Sequence, residues 1–390
     1  MIEAALNKTI VVNIACLILI GPYFPLAVKI CLYSSSVLWL GSLIWKHGKR
    51  FPRHISAPSP CIRPMVLFML AVGASVLASL EPYQSQKIFF SRYAGFFLAF
   101  FLGAAMVRHD RKVVSWLTGA LVLSGLLVGI GGLWDYARLS PSRLFTSFGR
   151  DVNLSVLLSL EMPLLFALSL FPGNRILRGL SFFALLCLLP VFVLNYSRAV
   201  WIAVVLVVMG LLALKNIKWV PVMLVAILIG VFFSGHQVKS RIETGFHQEA
   251  RVNMSRTALE IFEDFPVFGA GVGMFERLRP VYDPDPVNEY IHADNTYTEL
   301  LAETGLIGLT TFCWIFVAFF KTIRRTLQRR EDHDLFAIRL GLAGAVLSCL
   351  IVGFGTNALT VGFQSAVIFW LMLGFAAGLN PPYGEPGQTS

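Results

Sequence analysis

Charge is scarce in this chain. Only 14% of its 390 residues are Asp, Glu, Lys or Arg, against about a quarter in an ordinary soluble protein. That deficit, beside 56% hydrophobic residues, excludes a string of soluble domains. Apolar runs of about 18 residues or more recur from end to end, the length that crosses a bilayer as a helix. The runs lack the alternation of a membrane β-barrel, and lipid leaves only helices or closed barrels as spanning structures. The expected fold is all-α: a polytopic membrane helix bundle of about twelve transmembrane helices, forming a single integral membrane domain over 1–390.

Cysteines at metal-site spacing are also missing. Cys16, Cys31, Cys187, Cys313 and Cys349 lie in apolar runs and Cys61 in a basic loop, so neither a disulfide nor zinc is expected. Acidic residues are the rarer sign: 32 Lys and Arg face 22 Asp and Glu, a formal net charge of +10. Much of the excess sits in short loops between spans, which speaks for orientation in a membrane and against nucleic acid as a partner. The first apolar run has no small-x-small cleavage site and reads as a retained span.

The expected spans are 5–21, 23–45, 64–80, 87–107, 113–134, 154–171, 180–196, 199–214, 219–235, 299–320, 335–356 and 361–379. Twelve spans put both termini on one side. Basic clusters follow every second span: Lys46, Lys49, Arg50 and Arg53; Arg108, Arg111 and Lys112; Arg175 and Arg178; Lys215 and Lys218; and Lys321, Arg324, Arg325, Arg329 and Arg330. All five then share a face, which the positive-inside rule makes cytoplasmic. The opposite face holds Asp135–Asn153, the tight Asn195–Arg198 turn, and one long polar loop over 236–298. Long loops translocate regardless of charge, yet the arginines there (Arg138, Arg143, Arg150, Arg198, Arg251, Arg256) suggest an anionic ligand.

Within that loop, Glu249–Phe265 has helical periodicity. Val252, Met254, Ala258, Leu259, Ile261, Phe262 and Phe265 share one broad face, so the helix is expected on the membrane surface or on the bundle. Arg251 falls amid that apolar face, where a guanidinium needs an anion or a polar cavity. Arg256 points away. Phe265-Pro266 ends the helix, and Gly269, Gly271 and Gly273 permit tight turns and close backbone approach. No strand precedes these glycines, so they are no dinucleotide fingerprint.

Several residues carry two readings. Arg198, in Asn195-Tyr196-Ser197-Arg198-Ala199, is either an arginine snorkelling to the interface or a forked phosphate ligand. Asp294 is either a helix N-cap or a base, and His292 either an exposed loop residue or a base. Glu299 and Glu303, one turn apart, face a cavity or pair with arginines. Glu161, inside a span, has no assigned role. Asp283, Asp285 and Glu289 read as a solvated loop more readily than as a metal site.

Taken together these segments resemble the O-antigen ligases and polymerases, polytopic glycosyltransferases of the bacterial inner membrane. Asn195–Ala199 is similar to that family's Ser-Arg turn after a span. Arg251, Ala258-Leu259, Pro266 and Gly269-x-Gly271-x-Gly273 match its Arg–helix–Pro–Gly block. Asp294-Asn295, nine residues, Gly305, two residues and Gly308 match its His-Asn–x9–Gly–x2–Gly block, with Asp294 where the family carries histidine and His292 two residues upstream. Phe148–Asn153, with Arg150, is a weaker likeness.

The resemblance implies transfer of a glycan from undecaprenyl diphosphate at the periplasmic face, without metal or other cofactor. The acceptor would be lipid A–core for a ligase or a second lipid-linked glycan for a polymerase. Arg198, Arg251, Arg256 and Arg150 would bind substrate, and His292 or Asp294 would be the catalytic base. Membrane lipids would be the surroundings. Two rivals from other classes are a transporter or flippase for a lipid-linked glycan, and a non-catalytic assembly partner. The halves show no internal similarity of the kind common in transporters.

Overall fold

The structure, a computed structural model, describes residues 2–47, 59–107, 111–139, 151–171, 173–232, 249–283, 293–327, 333–357, 359–360 and 362–379. Among these residues there is no strand. The helices in chain order are α1 (Ile2–Ile20), α2 (Pro25–His47), α3 (Ile62–Leu77), α4 (Pro82–Ile88), a π-helical turn (Phe89–Tyr93), α5 (Ala94–Met106), α6 (Arg111–Leu139), α7 (Asp151–Leu170), α8 (Arg175–Leu194), α9 (Arg198–Asn216), α10 (Trp219–Phe232), α11 (Glu249–Asp264), α12 (Phe275–Tyr282), α13 (Thr296–Leu327), α14 (His333–Val352) and α15 (Phe363–Gly378).

Eight helical segments among the described residues are long and apolar enough to cross a membrane. Leu6–Ile20, Ile62–Leu77 and Phe363–Gly378 are shorter apolar helices. With α10 they stand where the twelve expected spans stand. The chain is an all-α, multi-pass membrane protein.

Packing separates the helices by their surroundings. α7, α14 and α15 are buried nearly throughout, whereas α2, α8 and α9 leave Ile30, Val37, Phe182, Phe183, Ile202 and Leu206 exposed. In a soluble protein that exposure would be a liability; here it is the lipid-facing surface. Small residues let the central helices approach closely. A Cβ on Gly374 would stand 2.1 Å from the Phe100 carbonyl oxygen, and one on Gly103 2.4 Å from that of Leu371, so α5 and α15 meet backbone to backbone. Phe68, Phe96, Phe312 and Phe316 surround Trp370 at ring distances of 6.1–6.5 Å, fastening α3, α5 and α13 to α15.

The two ends of the bundle differ. At one, Arg111, Lys112, Arg175, Arg178, Lys215, Lys321, Arg324 and Arg325 stand in the terminal turns of α6, α8, α9 and α13. Lys215 donates to the Leu170 carbonyl there. At the other, a buried polar network joins turns that are far apart in sequence. Asn153 donates to Gln364 at 2.9 Å, Gln364 donates to the Gly21 carbonyl at 3.1 Å, and Ser365 donates to Asn153 at 3.0 Å. Asn195 donates to Ser155 at 3.2 Å. Buried amides with several partners lock register, so the ends of α1, α7, α8 and α15 form one platform.

Candidate functional site

Toward the end away from the basic turns, α13 bends. Gly305 takes φ 64° and ψ −167°, which divides the helix at that residue. The bend releases backbone groups that the loop after α11 satisfies. Leu306 N–H donates to the Pro266 carbonyl (2.9 Å) and Ile307 N–H to that of Val267 (3.4 Å). Ala270 N–H donates to Ala302 (2.9 Å) and Gly271 N–H to Glu303 (3.1 Å). Non-helical backbone in a membrane protein persists where protein supplies such partners.

Three positive φ values make that loop possible: 72° at Gly269, 112° at Gly271 and 75° at Gly273. Close approach matters as much as φ, because a Cβ on Gly269 would meet the Glu303 carbonyl carbon at 2.3 Å. The helix before the loop ends where Pro266 cannot donate, as the sequence indicates. Serines from α3 and α4 complete the seam. Ser75 donates to the Glu303 carbonyl (2.6 Å), Ser85 to that of Val272 (2.8 Å), and Leu80 N–H to that of Ala270 (3.2 Å). An exposed Arg277–Glu81 pair at 2.6 Å adds little beyond these.

Two buried carboxylates hold the site together. Glu303 accepts from the backbone N–H groups of Gly273 and Phe275 and lies in the electrostatic field of Arg92 and Glu299. Arg92 belongs to the π-helical turn, and π-turns in α-helices recur at functional sites. Glu299 Oε2 accepts from Ala293 N–H at 2.9 Å and from Asn357 Nδ2 at 3.1 Å. The two acidic residues therefore secure backbone and an amide, and Glu303 also stands in the field of an arginine. Tyr282 on α12 donates to the Asp264 carboxylate on α11, and that bond, with burial second, pushes the phenol up to about 12.

Asp294 is half-buried with φ 51°, a left-handed conformation that Asp tolerates better than most residues. The N-cap of α13 is its neighbour: Asn295 Oδ1 accepts from Tyr297 N–H (2.9 Å) and Thr298 N–H (3.3 Å). The cap bonds of α13 are thus made by Asn295, one residue after Asp294. Asn295→Ala is expected to cost about 1 kcal/mol, read as a lower midpoint in thermal unfolding of the solubilised protein.

The turn after α14 links the two remaining candidates. Thr296 N–H donates to Gly353 (2.8 Å) and Thr356 (3.1 Å), and Tyr297 donates to Leu350 (2.7 Å). On its other side the same turn presses on α9, where a Cβ on Gly355 would lie 3.0 Å from Cβ of Ala199. Arg198 is the first residue of α9, half-buried, behind Tyr196 at φ 49°. The fold thus brings Arg198 and Asp294 to opposite sides of one short turn, although they are far apart in sequence. Arg256 is exposed on α11. Arg150 and His292 lie outside the described residues, and Arg251 is described only as backbone in the first turn of α11.

Asn357, Arg92, Ser75 and Ser85 escaped sequence reasoning. Their partners lie 58 residues away for Asn357 and 228 for Ser75, and no short spacing signals such pairs. Among the described residues no group of three or more His, Cys, Asp or Glu is gathered to hold a metal ion.

A multi-pass helical bundle with a glycine-built loop seated in a bent span is the class these features define. Residues 183–313, about a third of the chain, match the O-antigen ligase family, which supports an assignment to the O-antigen ligase and polymerase superfamily. That stretch spans Arg198, α11, the glycine loop, Asp294, Glu299, Glu303 and Gly305. The match supports an O-antigen ligase-type function in polysaccharide biosynthesis. No curated protein matches the chain.

Proposed function

We propose that the protein is a glycosyltransferase that moves a glycan from undecaprenyl diphosphate to an acceptor hydroxyl at the periplasmic face of the bacterial inner membrane. Both termini are then cytoplasmic, the 236–298 loop is periplasmic, and the acceptor is lipid A–core or a second lipid-linked glycan. The observation that supports this reading is that Arg198, the α13 N-terminus and the glycine loop all lie in the family-matched stretch, and that the turn after α14 contacts both α9 beside Arg198 and the first residue of α13.

The chemistry follows from charge. The acceptor oxygen bonds to the anomeric carbon, the bond from that carbon to the diphosphate oxygen breaks, and the diphosphate leaves with the electron pair. Arg198 and Arg251 stabilise that developing charge, with Arg256 and Arg150 as further cations toward the donor. His292 or Asp294 takes the acceptor's proton. No step requires a metal or other cofactor.

The test is transfer from a purified lipid-linked donor by wild type, His292→Ala and Asp294→Ala, with cysteine labelling of the 236–298 loop in intact cells. Loss of turnover in one loop variant names the base. Full turnover in both, or a cytoplasmic loop, overturns the reading in favour of transport or assembly.

Glu299 gives a finer prediction. Glu299→Gln keeps an oxygen for Ala293 N–H and Asn357, so turnover is expected within a few-fold of wild type. Glu299→Ala frees the 293–294 backbone, and kcat is expected to fall at least tenfold with KM for the donor little changed. Equal loss in both variants would show that the charge matters rather than the tether.

A further inference from the structure

The broad apolar face expected on α11 is divided in the structure. Met254, Ala258 and Ile261 are buried in a small core with Ala270, Met274, Phe275, Ala293 and Ala302. Val252 (64% exposed) and Leu259 (44%) share a second stripe along the same helix that no described residue covers. Sequence alone places these residues on one face because the helical wheel does not say how much of an arc a neighbour can cover.

The stripe continues into surface that faces lipid. Val267 and Phe268 are 51% and 41% exposed just after α11. The Pro266 and Val267 carbonyls are bonded by the N–H groups of Leu306 and Ile307, themselves exposed on the long span α13. Val252, Leu259, Val267, Phe268, Leu306 and Ile307 therefore lead from a membrane-spanning helix onto α11.

Depth supports the same conclusion. Beyond the bend, α13 is apolar from Leu306 to Phe320 and turns basic at Lys321, Arg324 and Arg325. That stretch rises roughly 22 Å at 1.5 Å per residue, short of a hydrocarbon core of roughly 30 Å. Lys321 recovers a few Å by snorkelling. The remaining thickness lies past Leu306, at the level of Val267, Phe268 and the exposed stripe of α11.

We propose that α11 and the 267–268 turn are embedded in the lipid interface. Val252, Leu259, Val267 and Phe268 contact acyl chains, while Arg256 and Glu263, which alternate with Val252 and Leu259 at the edge of the same exposed stripe, extend their charged heads back to the headgroups and water. The occupant is the bilayer itself. The glycine loop and Glu303 are then held at headgroup depth whatever reaction the site performs.

Nitroxide labels on Leu259→Cys, Phe268→Cys, Leu306→Cys and Arg256→Cys, in full-length protein freed of its six native cysteines and placed in lipid nanodiscs, test this. Collision with oxygen is expected to exceed collision with a water-soluble nickel chelate severalfold at Leu259 and Phe268, as at Leu306, and the excess is expected to be smaller at Arg256, toward the water side of the stripe. Nickel-dominated collision at Leu259 and Phe268 overturns the proposal by placing them in water. Low collision with both reagents overturns it by showing a protein partner or second copy on the stripe. Should the cysteine-free protein fail to fold, Leu259→Trp in the native background serves instead. Its added fluorescence is expected to be quenched by brominated-chain lipids, and unquenched added fluorescence overturns the proposal.

Discussion

Transfer by an Arg198→Ala protein is expected to fall about 10²- to 10³-fold, the usual effect of removing one positioned donor from a developing negative charge. Arg198 opens α9 directly after a turn in which Asn195 is buried and tied to Ser155, so the backbone that aims its side chain is anchored without the guanidinium. The loss is therefore expected in turnover with the unfolding midpoint nearly unchanged. Arg198→Lys is expected to recover only part of the rate, because an ammonium is a point charge and cannot grip a diphosphate in the bidentate manner of a fork. The check is donor-to-acceptor transfer by purified protein beside a thermal melt. Full turnover in Arg198→Ala would return Arg198 to a snorkelling role. Rate and melting temperature falling together would mean that the residue holds the fold.

Gly305→Ala is expected to be the most destabilising single methyl in the family-matched stretch, at about 3–5 kcal/mol. The backbone conformation at Gly305, φ 64° with ψ −167°, is nearly closed to other residues and costs about 1–3 kcal/mol when forced. The added Cβ would also meet the Val267 carbonyl oxygen at 2.3 Å, which is backbone and cannot swing aside. Relief requires that the 265–268 turn lift off, losing the bonds from Leu306 and Ile307 at about 1 kcal/mol each. Gly210→Ala is the control: nothing lies within 4 Å of its Cβ, and a helical Gly→Ala change is neutral or gains up to about 1 kcal/mol. Thermal unfolding and limited proteolysis of the solubilised variants read both. A Gly305→Ala protein as stable as wild type would mean that α13 can straighten without its loop.

Most of the architecture is written locally. Apolar runs long enough to cross lipid, basic residues at alternate span ends, and Pro266 after an amphipathic run each act within a few residues, so composition and spacing determine them. The Gly269-Gly271-Gly273 series, too, is recognisable as a place where backbones meet. Composition and spacing are therefore enough for an all-α membrane bundle and for the helix before the glycines.

Tertiary structure decided what those pieces do to one another. Glycine patterns do not name their partner; only packing shows that this series fills a bend at Gly305 and rests on Ser75 and Ser85. Asp294 was open to two readings, cap or base, and the cap bonds fall instead to Asn295 beside its left-handed turn. Glu299 and Glu303 looked like partners for arginines, but burial obliges them to accept backbone and amide N–H groups as well. Arg198 and Asp294 are neighbours of one short turn only because the far end of α14 packs on α9 and bonds the start of α13. The apolar face of α11 is divided by how far its neighbours reach. The physical reason is the same throughout: helix formation and membrane partition depend on neighbours in sequence, whereas hydrogen-bond satisfaction and close packing depend on neighbours in space.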